Sequence, residues 1–260
     1  VRSDDFRLPF LNCEGFKPRP AAECMVRHFE VKRELFGDGE VLARKVRQSD
    51  LSPADMEELR KGVSQMLPVR DACGRSVMVI NPGASEDSLL HMDTYTSEQS
   101  RCHFYMNCAA LRDEQVWKEG IVWALYAIND PVFGDFTSFE NVSRIDYAVP
   151  IKSIAGHICF DSDELRPLLA GFQVFTNQVE RHRYRGHFGS LEEIHFKMQT
   201  FGIPTDASPM RPDGTWSTDY HLKWLEAQCV LEESHDQEDS QSNKEKNIVI
   251  IPRKFDVLFG

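Results

Sequence analysis

The sequence lacks the apolar run of roughly 18 residues that a membrane-spanning helix requires. It also has little positive charge, because 30 lysines and arginines stand against 41 acidic residues and leave a net charge of −11. That balance disfavours general binding to nucleic acid and general attraction to anionic membranes. The chain is 41% hydrophobic and 27% charged, as is typical of a soluble globular protein. We therefore expect no nucleic-acid partner, and any membrane contact should be transient and peripheral.

Motifs of the common catalytic sites are absent too. The chain has no G-x-S-x-G elbow, no phosphate loop ending in G-K-[ST], no complete G-x-G-x-x-G and no H-E-x-x-H. The histidines His182, His187 and His195 match no standard zinc spacing. Paired glutamates at 57–58 and 192–193 stand early in predicted helices, where carboxylates favour the positive end of the helix dipole. The sequence therefore predicts a protein that is not an enzyme and needs no metal or cofactor.

The cysteines form neither a C-x-x-C pair nor a disulfide framework. There are seven of them, an odd number, scattered among predicted helices and strands: Cys13, Cys24, Cys73, Cys102, Cys108, Cys159 and Cys229. This usage favours reduced thiols in an intracellular compartment, and we expect a cytoplasmic location.

A strand followed by an amphipathic helix is the most informative stretch that is present. Residues 153–160 predict a strand that stops at Asp161. Asp161 or Ser162 can cap a following helix, with Glu164 placed as in a capping box. Apolar side chains then recur at spacings of three and four on one side: Leu165, Leu168, Leu169, Phe172 and Phe175. We predict a helix over 164–178 with one apolar face, which in an arbitrary protein most often packs in the core.

Basic residues alternate along the next predicted strand. If this segment is extended, Arg181, Arg183, Arg185 and His187 share one face. One interpretation is that this face holds a lipid phosphate or meets an anionic membrane, because guanidinium groups suit phosphate oxygens. The other is a charged edge strand that prevents unwanted pairing.

Helices and strands alternate along the rest of the chain. Helix starts are predicted where a cap residue or a proline precedes an apolar pattern, at Pro18, Ser52 and Ser190. The Ser52 helix is expected to carry Met56, Leu59, Val63 and Met66 on its apolar side. Strands are predicted at 76–80 and at 120–128, the second with the composition of a buried central strand. This alternation predicts an α/β fold with a mostly parallel sheet covered by helices.

The C-terminal region changes composition twice. Residues 232–247 contain no apolar side chain and predict a disordered acidic linker. Residues 248–260 become apolar again and end in Asp-Val-Leu-Phe-Gly, which resembles the opening of a small domain found in algal proteins. We expect that this domain is truncated here.

The element order from Val149 to Pro204 resembles the CRAL-TRIO lipid-binding family. Pro150-Ile151-Lys152 stands before the strand as in that family, and Phe201-Gly202-Ile203-Pro204 matches its ending. Residues 7–37 resemble the small helical region that precedes the family's pocket, and the turn at 71–75 resembles the one that leads into its first strand. The loop after the predicted central strand departs from the family, with Asn129-Asp130-Pro131 where members usually place an aspartate and a glycine.

The resemblance implies an organisation in four regions. These are an N-terminal helical lobe at 1–70, a CRAL-TRIO-like lobe with a C-terminal helix at 71–231, the linker at 232–247 and the truncated domain at 248–260. The α/β lobe is expected to enclose an apolar pocket whose mouth is gated by the amphipathic helix.

The function implied by the resemblance is binding of a small hydrophobic or phospholipid ligand, with possible transfer between membranes. The expected ligand-binding residues are Leu168, Leu169, Phe172 and Phe175 for the tail, with Arg183 and Arg185 for a phosphate. The alternative is a protein-interaction or regulatory scaffold whose pocket has collapsed, with large side chains such as Trp123, Phe160 and Phe172 filling it. A connected apolar cavity of roughly 300 Å³ or more would favour the first function.

Overall fold

The computed structural model describes residues 4–84, 96–128, 137–162 and 183–248. The chain divides into two compact units, Val1–Leu222 and Lys223–Gly260. Eight α-helices lie in the described residues: α1 (Asp4–Cys13), α2 (Pro18–Phe36), α3 (Pro53–Arg60), α4 (Ser97–Ala110), α5 (Glu114–Glu119), α6 (Thr137–Asp146), α7 (Leu191–Thr200) and α8 (Asp219–Ile248). The strands described are β1 (Ser64–Arg70), β2 (Ser76–Ile80), β3 (Ile121–Ala127), β4 (Ser153–Phe160) and β5 (Tyr184–Phe188).

The five strands form one mostly parallel sheet in the order β1-β2-β3-β4-β5. β1 and β2 are an antiparallel hairpin, and the other neighbouring pairs are parallel. The hairpin turn is held by Asp71, whose Oδ1 accepts the backbone N–H groups of Cys73 at 2.9 Å and Arg75 at 2.8 Å. The predicted α/β class and the strands at 76–80 and 153–160 are confirmed.

The pairing register assigns each strand residue to one of two faces, because paired neighbours point to the same side and successive residues alternate. The first face carries Ile80 on β2, Trp123, Leu125 and Ala127 on β3, Gly156, Ile158 and Phe160 on β4, and Tyr184 and Phe188 on β5. The second face carries Val77 and Val79, then Val122, Ala124 and Tyr126, then His157 and Cys159, and finally Arg185 and His187.

Helix α7 closes the second face. Its Ile194 and Met198 are fully buried and belong to one core cluster with Val79, Tyr126 and Cys159 of the sheet. The helix starts as predicted, since Ser190 Oγ accepts the N–H of Glu193 and the Glu193 carboxylate accepts the N–H of Ser190 at 2.8 Å. This reciprocal cap fixes the register of α7 against the sheet.

The N-terminal helices are joined to the rest of the first unit by buried polar contacts. The predicted cap at Ser52 forms a capping box with Asp55, which is 1% exposed. Arg101 of α4 donates Nε to both oxygens of Asp55, at 2.9 and 3.0 Å. Desolvation alone would raise the pKa of Asp55, but hydrogen bonds from Arg101 and Ser52 outweigh it and hold the pKa below its ordinary value. One carboxylate therefore both starts α3 and ties it to α4.

The expected extension of the Ser52 helix through Val63 and Met66 is wrong. The helix α3 ends at Arg60, Gly62 follows with φ of 66°, and Met66 lies in β1 opposite Met78. A left-handed glycine ends the helix, and pairing with β2 then outweighs the helical spacing of the apolar residues. The hairpin therefore crosses the boundary expected at residue 70.

The C-terminal segment also differs from expectation, because α8 continues through residues 232–247, where we expected a disordered linker. The segment contains no glycine or proline. Glutamate, glutamine and lysine are good helix formers, so an apolar face is not required to extend an existing helix.

None of the described helices is long and apolar enough to cross a membrane. The two longest of them, α2 with 19 residues and α8 with 30, carry charged side chains along their length.

Two histidines seal the second face between β4 and β5. His157 and His187 are 3% and 4% exposed, and their rings stack at an interplanar angle of 7° with Phe201 edge-on to both. His157 Nδ1 lies 2.8 Å from His187 Nε2, so one nitrogen donates the proton that the other accepts. Burial lowers the pKa of each histidine from 6.5 to about 4. The charges of His187, Arg185 and Arg75 add to this effect at His157, and those of Lys197 and Arg185 add to it at His187.

Stability should fall as this pair titrates. The folded-state pKa lies below that of the unfolded chain, so stabilisation is full above pH 6.5 and is lost as the pH falls towards 4. We expect the free energy of unfolding to drop across that window by about 3 kcal/mol for each of the two histidines, beyond the general acid effect. Urea unfolding of the wild type and of the His157→Gln/His187→Gln double variant measures the difference. Parallel pH profiles for the two proteins would contradict it.

Candidate functional site

The first face of the sheet forms an apolar floor that we define by eight residues. Four are buried, and four large ones at its margin are only partly buried. The buried members are Leu125, Ala127, Ile158 and Phe160, and the partly buried members are Ile80, Trp123, Tyr184 and Phe188. The floor thus runs across four strands, from β2 to β5, without a charged side chain.

A glycine determines the shape of the floor at its β4 end. Trp123 and Tyr184 have ring centroids 5.3 Å apart and lie on the two sides of Gly156 in the paired strands. A Cβ at Gly156 would collide with the rings of both. Trp123 Nε1 donates to Ser153 Oγ at 2.8 Å, which satisfies the indole N–H at the edge of the floor. The absence of a side chain at Gly156 therefore lets the indole lie across β4.

The opposite end of the floor is made of two stacked phenylalanines. Phe160 and Phe188 have ring centroids 5.0 Å apart and an interplanar angle of 17°. They stand at the carboxyl ends of paired parallel strands, four residues beyond Gly156 and Tyr184. The aromatic surface therefore extends about 13 Å along β4 and β5.

The sequence-predicted tail contacts Leu168, Leu169, Phe172 and Phe175 lie outside the described residues, as does the rest of the helix predicted over 164–178.

The two predicted arginines are described, and they make different contacts. Arg183 directly precedes β5, is exposed and donates Nη1 to the carbonyl of Ser153 at 3.0 Å. Arg185 is exposed on the second face, opposite His157, and donates to the carbonyl of Tyr184. Of the two, Arg183 is the one that contacts the amino end of β4, where Trp123 is bonded to Ser153. β5 is an edge strand of the described sheet, as the second interpretation of this segment requires.

Two of the three histidines named in the sequence analysis are described, and they have different neighbours. His187 pairs with His157, and His195 packs edge-on against Tyr126 with centroids 5.8 Å apart. His182 lies outside the described residues. Across the part of the chain that the structure describes, no group of three histidine, cysteine or acidic side chains is arranged to hold a metal ion.

A cleft of about 700 Å³ that the sequence did not predict lies on the second-face side, between β1, α7 and residues 205–212. Its lining mixes apolar side chains such as Leu67 and Met210 with the acidic residues Glu192 and Asp206 and with Asp219, which is paired with Arg211 at 3.0 Å. Phe196 at its rim is 70% exposed. The only sequence signal for it is the proline-containing loop that follows a capped helix. Its open, acidic character suits a polar or protein partner better than an acyl chain.

No family model and no curated protein matches this chain.

Replacing Gly156 by alanine should disturb the floor without touching the second face. The added methyl group collides with two aromatic rings, so we expect the free energy of unfolding to fall by about 1–3 kcal/mol. The tryptophan fluorescence spectrum should also shift, because the Trp123 indole must move. The matched control is Gly39→Ala, where a Cβ meets nothing within 4 Å and φ is 179°. Equal effects of the two substitutions would show that Trp123 does not lie over Gly156.

Proposed function

We propose that the chain captures one small hydrophobic or amphiphilic molecule, without catalysis, against the apolar floor, and that it can transfer this molecule between membranes. The ligand class extends to phospholipids. This is the function that the resemblance to the CRAL-TRIO family implies, and the described residues support it through the sheet.

The supporting observation is the difference between the two faces of one sheet. On the second face, the apolar side chains of β2, β3 and β4 are closed into a core by Ile194 and Met198, and Ile128, Leu191 and Trp216 are partly buried against that core. On the first face, large side chains with much apolar area, Trp123, Tyr184 and Phe188 among them, stay only partly buried. Each 100 Å² of such surface covered by a ligand contributes about 2.5 kcal/mol. A hydrophobic molecule therefore gains most of its binding energy here.

The floor also implies an orientation for an amphiphile. Its polar edge is the amino end of β4 and β5, where the guanidinium of Arg183 meets the Ser153 carbonyl. Its apolar end is the Phe160–Phe188 stack. The head of the ligand should therefore lie beside Arg183 and the tail should run along the strands, which assigns a phosphate contact to Arg183 rather than to Arg185.

The second wall of the site is the amphipathic helix predicted over 164–178, with Leu168, Leu169, Phe172 and Phe175 against the tail. Its gating movement is part of the proposal and rests on the resemblance and on the sequence pattern alone.

A protein-interaction scaffold is the second candidate, and the acidic cleft favours it. An exposed phenylalanine beside the carboxylates of Glu192 and Asp206 is a reasonable docking surface for a basic partner segment. In that case Trp123 and Phe160 would contribute to a filled core, and the floor would bind nothing.

Two isoleucines that stand in similar positions on the two clusters allow a matched test. Ile80 is partly buried on the floor, and Ile128 is partly buried against the second-face core. Ile80→Asn should weaken binding of a fluorescent fatty acid analogue by about ten-fold or more, because a polar amide replaces apolar contact area. Ile128→Asn should lose similar stability and keep the affinity.

The readout is a fluorescence titration at fixed protein concentration, with unfolding curves measured in parallel. Saturable binding that both variants retain, or no saturable binding by the wild type to this probe or to lipids from mixed vesicles, would refute the proposal.

A further inference from the structure

Phe16 has an unusual backbone for a large side chain. It stands in the turn between α1 and α2 with φ of 59°, the only non-glycine residue with positive φ in the described ranges. Its N–H donates to the carbonyl of Leu11 at 2.6 Å, which holds the turn after the end of α1. Bulky side chains rarely adopt this left-handed conformation, which suits glycine and asparagine.

The strain at Phe16 is not offset by burial, because the side chain is 63% exposed. A structural role alone would be served better by glycine or asparagine at this position. Backbone strain that persists at an exposed aromatic side chain points to a role in contact with something outside the fold.

Cations follow Phe16 in the chain and along α2. Lys17 follows it directly and is exposed. Arg27 of α2 donates Nε to the carbonyl of Tyr147 at 3.4 Å, and Tyr147 is itself 52% exposed. The thiol of Cys24 lies 3.6 Å from the same carbonyl, which joins α2 to that loop.

Two further cations come from the amino ends of β4 and β5. Lys152 lies close to the end of α1, because Asn12 Nδ2 donates to the carbonyls of Trp117 and Lys118, and the N–H of Ile121, three residues further on, donates to the carbonyl of Lys152 at 2.9 Å. Burial raises the pKa of Cys13, at the end of α1, to about 12, and the charges of Lys152 and Arg183 oppose that rise. Arg183 is in turn anchored to Ser153 at the start of β4. We call Phe16, Lys17, Arg27, Tyr147, Lys152 and Arg183 the basic-aromatic patch.

The charge of the patch is opposite to that of the chain as a whole, which carries −11. Carboxylates also stand near it: Glu14 acts on Cys13, Glu119 lies in sequence next to Gly120 beside Lys152, Glu23 is paired with Arg19 at 3.0 Å, and Asp146, directly before Tyr147, is paired with His103 at 2.7 Å. Since two of these four carboxylates are paired with Arg19 and His103, the four cations of the patch outnumber the remaining two.

We propose that the basic-aromatic patch is the surface by which the protein docks on anionic phospholipid bilayers. Phe16 enters the interfacial region and Tyr147 lies at the level of the head groups, where aromatic rings are favoured. Lys17, Arg27, Lys152 and Arg183 contact the anionic head groups. This deepens the proposed function by naming the surface through which a captured molecule is exchanged, yet docking itself needs no molecule on the apolar floor.

The test is sedimentation of the full chain with vesicles of phosphatidylcholine, with and without phosphatidylserine. The wild type should bind the anionic vesicles, and added salt should weaken this binding. Phe16→Asn should lower the partition coefficient by about ten-fold. Its melting temperature should stay the same or rise, because asparagine tolerates this backbone conformation. A loss of binding is then not a loss of fold.

Phe196→Asn is the matched control, because Phe196 is 70% exposed at the acidic cleft, outside the patch. It should leave vesicle binding unchanged. Arg27→Gln and Lys17→Gln should each lower binding to anionic vesicles by about five-fold and leave binding to neutral vesicles unaffected. Wild-type binding that is absent or equal on both vesicles, or equal losses from Phe16→Asn and Phe196→Asn, would overturn the proposal.

Titration with the fluorescent fatty acid analogue in vesicle-free buffer separates this proposal from the proposed function. Phe16→Asn should retain full affinity for the probe while losing vesicle binding. If the wild type docks on anionic vesicles but binds no probe, the docking proposal is supported and the proposed function of the apolar floor is refuted. If it binds the probe but does not dock, the proposed function is supported and the docking proposal is refuted.

Discussion

The parallel register between β3 and β4 is the constraint on which the two faces of the sheet depend. Trp123 pairs with Gly156 and Tyr126 pairs with Cys159. The two aromatic side chains of β3 therefore lie on opposite faces of the sheet, Trp123 on the first face and Tyr126 on the second. A shift by one residue would exchange the two sets and place a tryptophan against α7. Gly156 reinforces the register, since only a residue without a side chain fits between Trp123 and Tyr184. One pairing thus separates a closed core from an aromatic surface.

The second face supplies the rigidity that such a surface needs. Its core is closed by α7, which begins at a capping box in which the side chains of Ser190 and Glu193 accept each other's backbone N–H, and by the stacked pair of His157 and His187. Because this side is packed, the floor is held on strands rather than on loops, and its aromatic rings keep fixed spacings. The acidic cleft lies on the same side as this core and is separated from the floor by the sheet.

Much of the fold could be predicted where local chemistry agrees with long-range pairing. The sequence predicted helix starts at Ser52 and Ser190 and a strand at 153–160, and the structure contains all three. Prediction failed where two patterns competed, as at Met66, whose helical spacing gave way to pairing with β2. It failed also in α8, whose polar composition predicted disorder although half of residues 232–247 are glutamate, glutamine or lysine, which are good helix formers. The floor was out of reach because it depends on register, which a single sequence does not specify.

Native mass spectrometry of the purified chain, followed by extraction and identification of any bound molecule, tests the central claim most directly. If the apolar floor binds one hydrophobic molecule, as we propose, the purified chain should be a complex with one such molecule per chain, released by organic solvent. A protein that carries nothing and takes up nothing from mixed vesicles would contradict it and would leave the floor as part of a closed core.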